Sequence, residues 1–158
     1  MRSPISLELS MVPKPVLVLG WAGVAPFALL SLLAILGSAS VAGNALEALI
    51  VYGAVILSFM GGAQWGLEMA KPAAPDDGRR GYALSVLPAL AGFAAAMFPP
   101  RAGLALLCAG FLALLAYDLR RARDGVGPSW YPALRKSLTA AVVTTLLLTL
   151  LLARPASA

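Results

Sequence analysis

Glu68, Asp118 and Arg135 are the side chains in this sequence placed where charge is costly, because each lies within or at the end of a long apolar run. A charged group at mid-bilayer costs on the order of 2.5 to 3.5 kcal/mol on insertion scales, so each needs a partner. The second apolar run ends in a polar stretch, Ser58 to Glu68. At 3.6 residues per turn, Gly61, Gln64, Trp65 and Glu68 share one face of it. In the last run Tyr131, Arg135 and Thr139 recur at i, i+4 and i+8, while Lys136 points about 100° away and can snorkel. These spacings predict an inner-leaflet polar cluster of Gln64, Glu68, Asp118, Tyr131 and Arg135, with Glu68 paired to Arg135 and Asp118 competing for the same guanidinium. Two kinds of chemistry are open to it: an ion pair that locks the bundle, or a polar path for a solute or ion.

Catalytic arrangements are not visible. Histidine is absent and Cys108 is the single cysteine, inside the fourth apolar run, so the usual general base, the commonest metal ligand and a disulfide are all missing. There is no phosphate loop and no pair of carboxylates on one face at working distance. The expectation is a protein that is not an enzyme and has no cofactor or metal.

The elements that must carry these residues follow from composition. Hydrophobic residues make up 60% of the 158-residue chain and charged residues 12%, and mean hydropathy is +0.86. A soluble domain carries about a quarter of charged residues. With about 20 apolar residues per membrane helix, five helices consume the chain as one domain over 1–158. We read them at 16–36, 45–69, 82–98, 102–119 and 131–153, after a short cytoplasmic or interfacial segment at 1–15. Runs such as that from Thr144 to Leu152 are apolar on both faces, which excludes the alternation of a barrel strand. The first run is also too long for a secretory signal core. The fold class is therefore an all-α integral membrane protein, a bundle of five transmembrane helices.

Ten of the 12 Lys and Arg residues fall before the first span, in the second connection, between the fourth and fifth spans, or in the opening turns of the fifth span, where Arg135 and Lys136 stand. Only Arg101 and Arg154 fall on the other side. By the positive-inside rule the N-terminus is cytoplasmic and the C-terminus periplasmic. The net charge of +5 is then an orientation signal with attraction to anionic lipid, and no nucleic-acid partner is expected. Asn44 and Glu47 have capping-box spacing and predict the outer start of the second helix. Gly61, Gly62, Trp65 and Gly66 form a helix-packing motif in which Gly62 and Gly66 are the GxxxG pair. Thr144, Thr145 and Thr149 can return their hydroxyls to carbonyls of their own helix.

Three stretches carry a family resemblance: Gly20 to Phe27, Tyr52 to Gly66 and Pro128 to Thr139. Together they resemble the family called domain of unknown function 3429, the middle stretch most specifically. The family pattern commonly has histidine where Gln64 stands here, so the resemblance implies no metal or haem ligand at that position. The family's occurrence in mitochondria and bacteria implies a place in energy-converting membranes. The expected protein is a non-catalytic accessory or assembly subunit of a respiratory or photosynthetic complex in the bacterial inner membrane. Its partners would be the lipid bilayer and other membrane subunits or a second copy. The alternative is a small transporter or channel that uses the polar cluster.

Overall fold

The computed structural model describes residues 12–70 and 78–153, with the side chains of 78 and 79 left out. Most of the expected segment 1–15 and of the second connection thus lies outside the described residues. Five helices are present: α1 Lys14–Leu36, α2 Ala39–Met69, α3 Gly78–Met97, α4 Pro100–Arg123 and α5 Tyr131–Leu152. All five are long and apolar enough to cross a membrane. Large apolar side chains such as Leu19, Leu36, Phe93 and Leu151 are more than half exposed on the outside of the bundle. That surface suits lipid and would be an aggregation liability in water.

Each helix packs against its neighbours in sequence, α5 closes back on α1, and α2 also touches α4 across the middle. Among the described residues α2 and α5 have no backbone contact. The core fills the space between α1, α2, α4 and α5. Phe27 is fully buried there, with Tyr52 and Phe111 edge-on at ring-centroid distances of 5.0 and 5.9 Å. Pro26 lacks an N–H and so weakens the backbone ladder of α1. Tyr52 reaches the same stretch, donating its hydroxyl to the Gly23 carbonyl at 3.0 Å. At the other end of the α1–α5 seam, Ser31 Oγ lies 3.1 Å from the Thr145 carbonyl oxygen and 2.6 Å from Thr149 Oγ1. Thr145 and Thr149 also bond carbonyls within α5, as expected of threonines in an apolar helix.

Several helix boundaries differ from the sequence reading, α3 for example beginning at Gly78 and not at 82, and two of the differences have plain physical reasons. The second helix starts at Ala39, directly after Ser38, and runs for 31 residues. The small and apolar residues Ala39 to Gly43 continue the helix, so Asn44 and Glu47 are exposed inside it and form no capping box. At 1.5 Å per residue α2 is about 46 Å long, more than the roughly 30 Å hydrocarbon layer needs. The fourth helix runs on to Arg123 and ends in a Schellman motif. Val126 N–H donates to the Arg121 carbonyl at 3.0 Å, Gly125 N–H to the Ala122 carbonyl at 3.2 Å, and Gly125 has φ +77.

The close approach of α2 to another helix occurs at Gly61. A Cβ there would collide with the Ser85 carbonyl oxygen and press on the Pro88 ring of α3. Gly92 of α3 likewise lies against the backbone of Ala54. The GxxxG pair expected to do this work does not, because at 3.6 residues per turn Gly62 is about 100° further round. A Cβ at Gly62 or Gly66 would meet nothing within 4 Å, and Trp65 is also turned outward, 42% exposed with its ring against Tyr82 of α3. Gly61→Val is therefore expected to destabilise the bundle by about 1 to 3 kcal/mol, and Gly62→Ala to leave it within about 0.5 kcal/mol. Thermal unfolding in detergent checks both.

Candidate functional site

On α4 the inward stripe is Phe111, Leu114, Asp118 and Arg121, all buried. Its period places Arg120 and Arg123 outside while Arg121 turns in. On α2 the corresponding stripe is Leu57, Gly61, Gln64 and Glu68. Helices α2 and α4 pack together and, separated by α3 in an up-and-down chain, run parallel. Gln64 therefore stands level with Asp118, and Glu68 level with Arg121 one turn nearer the helix ends. Helix α5 enters from that same end, bringing Tyr131 and then Arg135 to the same level.

Asp118 is the junction. Gln64 Nε2 donates to its Oδ1, and Arg135 Nε donates to Oδ2 at 2.6 Å. The Tyr131 hydroxyl lies 3.5 Å from the same Oδ2. Arg135 also reaches α2, with Nη1 2.8 Å from the Met60 sulfur. One residue thus ties α5 to both α4 and α2, although α2 and α5 do not touch by backbone. The second pair is Arg121 Nη1 to Glu68 Oε1. Arg121 Nη1 also lies 3.3 Å from the Tyr117 hydroxyl, with its guanidinium carbon 5.6 Å from the Tyr117 ring centre. The Glu68 carboxylate rests on the first turn of α3, where a Cβ on Gly81 would collide with it.

The structure brings all five expected residues to one end of the bundle but changes the pairing. Glu68 binds Arg121, not Arg135, and Arg135 belongs to Asp118. The reason is topological: α4 lies beside α2 and α5 does not. Arg121 is the site residue the sequence analysis does not single out: a fourth span ending at 119 leaves it among the basic residues of the connection that follows. Its spacing of three from Asp118 and seven from Leu114 was the available signal.

The two pairs carry two positive and two negative charges, so among the described residues they balance one another. All four side chains are buried: the Arg121 and Glu68 side chains are 9% and 3% exposed, those of Arg135 and Asp118 7% and 1%. Several polar atoms of the cluster are buried without a hydrogen-bond partner among the described residues: Gln64 Oε1, Arg121 Nε and Nη2, Arg135 Nη2 and, one turn further in, Thr139 Oγ1. Gln64, Asp118, Arg121 and Tyr131 line a cavity of about 70 Å³ under the α4–α5 connection, enough room for water.

Breaking one member of a buried pair leaves an uncompensated charge. Arg121→Met is expected to lower stability by on the order of 3 kcal/mol, and Lys136→Met, at an exposed position, to change it by under about 0.5 kcal/mol. Chemical denaturation in mixed micelles, followed by tryptophan fluorescence, measures both.

Comparison with known proteins places this architecture in a family. The family model DUF3429, described as a protein of unknown function, matches residues 12–151. Transmembrane protein 69 of Xenopus tropicalis is 38% identical over 142 residues, covering 85% of this chain and 53% of that protein. The chain thus spans about half the length of the curated relative it matches. No solved structure matches. The chain belongs to the DUF3429 family of membrane proteins of unknown function.

Proposed function

We propose that this protein is a non-catalytic accessory or assembly subunit of a larger energy-converting complex, respiratory or photosynthetic, in the bacterial inner membrane. The observation that carries this reading is the outward stripe of α2. Val55, Phe59 and Met69 are more than half exposed, and Gly62 and Gly66, on the same stripe, have open space where a side chain would stand. Large apolar residues flanking a flat two-glycine step form the surface against which a second transmembrane helix packs closely. The ionisable groups of the cluster are meanwhile engaged in ties within the bundle, which suits a scaffold. The family resemblance, which implies an energy-converting membrane as its place, supports the choice of complex.

The charge distribution supports an N-terminus in the cytoplasm and a C-terminus in the periplasm. With Cys108 replaced by alanine, Ser129→Cys should react with an impermeant maleimide only after the membrane is opened, and Ser40→Cys in intact cells. The reverse pattern contradicts this orientation.

Gentle extraction from native membranes followed by native mass spectrometry tests the accessory role. The protein should travel with subunits of an energy-converting complex. Gly62→Leu should release it while leaving its own melting temperature unchanged, because a Cβ at this outward position meets nothing within 4 Å. A protein that migrates alone overturns the reading.

A second reading, a small transporter or channel, is favoured by the cavity that Gln64, Asp118 and Arg121 line under the α4–α5 connection. It requires that Glu68→Gln abolish solute or ion flux in liposomes.

A further inference from the structure

A separate cavity of about 170 Å³ lies on the membrane side of the cluster, between α1, α2 and α5, with Phe111 of α4 behind it. Phe27, Phe59 and Gly23 line its apolar walls, and Phe59 at its rim is 66% exposed on the face of the bundle turned to lipid. Two polar residues also line it, Arg135 and Thr139, 6% and 2% exposed. Each has a buried atom without a hydrogen-bond partner among the described residues, Arg135 Nη2 and Thr139 Oγ1. A greasy pocket ending in an unsatisfied guanidinium N–H is a poor resting place for an alkyl chain alone, because the donor stays desolvated and unpaired.

We propose that this pocket binds a lipid-soluble molecule with a neutral carbonyl on a flat ring, as quinones have, the carbonyl oxygen accepting from Arg135 Nη2 and Thr139 Oγ1. Three properties of the site select this chemistry. The charge of Arg135 is already balanced by Asp118 at 2.6 Å, so a carboxylate or phosphate would bring an uncompensated negative charge into an apolar wall. A neutral acceptor satisfies the donor without one. The pocket is smaller than the 300 to 1,000 Å³ typical of sites that enclose a drug-sized ligand, so it holds a ring between phenylalanines and leaves a tail in lipid. Its polar end lies about 6 to 12 Å inward of Tyr131 at 1.5 Å per residue. That is deeper than the interfacial belt where Trp and Tyr sit, at a level a lipid-soluble ring reaches more readily than the ester group of a glycerolipid. The pocket shares Phe59 with the stripe of α2 offered to a partner helix, but its other walls and both polar groups lie inside one chain, so binding to the isolated protein tests it independently of the subunit role.

The test uses the full-length protein in detergent and three probes: a decyl-substituted 1,4-benzoquinone, decylbenzene and a dioctanoyl glycerol. Native mass spectrometry counts adducts, and titration gives apparent Kd. The quinone should bind one to one, with decylbenzene at least about tenfold weaker for want of the acceptor. Gly23→Leu should abolish quinone binding at unchanged melting temperature, since a Cβ at Gly23 meets nothing within 4 Å. Thr139→Val, which keeps the shape, should weaken quinone binding several-fold without affecting decylbenzene, and it keeps the test open if Gly23→Leu fails to fold. The proposal is overturned if the quinone does not bind, if decylbenzene binds equally well, if the glycerol ester binds more tightly than the quinone, or if quinone binding is unchanged in a folded Gly23→Leu or in Thr139→Val.

Discussion

One carboxylate, that of Asp118, holds together helices that would otherwise have little reason to choose each other in lipid. Hydrocarbon offers no hydrophobic drive for one apolar helix to pack on another, so the specific contacts must come from close packing and polar ties. Asp118 accepts from Gln64 of α2 and Arg135 of α5 while standing on α4 itself. Arg135 extends the tie to Met60. The tie between α2 and α5 runs through this buried network, since these two helices share no backbone contact among the described residues. Such a network is costly if any member is missing and defines one arrangement of three helices if all are present.

Close packing supplies the rest. Gly61 and Gly92 let α3 lie against α2 at backbone distance, and the Phe27, Tyr52 and Phe111 rings fill the middle of the bundle. The second ion pair, Glu68 with Arg121, sits one turn nearer the helix ends, where Gly81 gives the carboxylate room against α3. The bundle is thus stapled by charge at one end and by the Ser31, Thr145 and Thr149 hydroxyls at the other. Between them lies the apolar interior and, on the α1, α2 and α5 side, the pocket that reaches Arg135.

Much of this was legible in the residues themselves. Five apolar runs separated by charged turns announce five spans, and the i, i+4 and i+8 spacing of Tyr131, Arg135 and Thr139 puts them on one stripe. The stripe of Gln64 and Glu68 was equally plain. Spacing along one helix, however, says which residues share a face and not which neighbour that face meets. The pairing of Glu68 therefore depended on the order of helices around the ring, and Arg121 was hidden among basic residues that do face outward. The same gap explains Gly62 and Gly66: the motif was visible, but its direction was set by Gly61 taking the contact with α3. The start of α2 is not fixed by sequence, because Asn44 and Glu47 fit a cap while the small residues before them continue the helix equally well.

The most direct test of the central role of the Asp118 carboxylate is a double-mutant cycle in lipid, measuring unfolding free energy for Asp118→Leu, Arg135→Met and the two together. Each single variant should be less stable than the pair, because each leaves one buried charge without its partner and the double variant leaves neither. Additive losses, with the double variant the least stable of the three, would contradict the account.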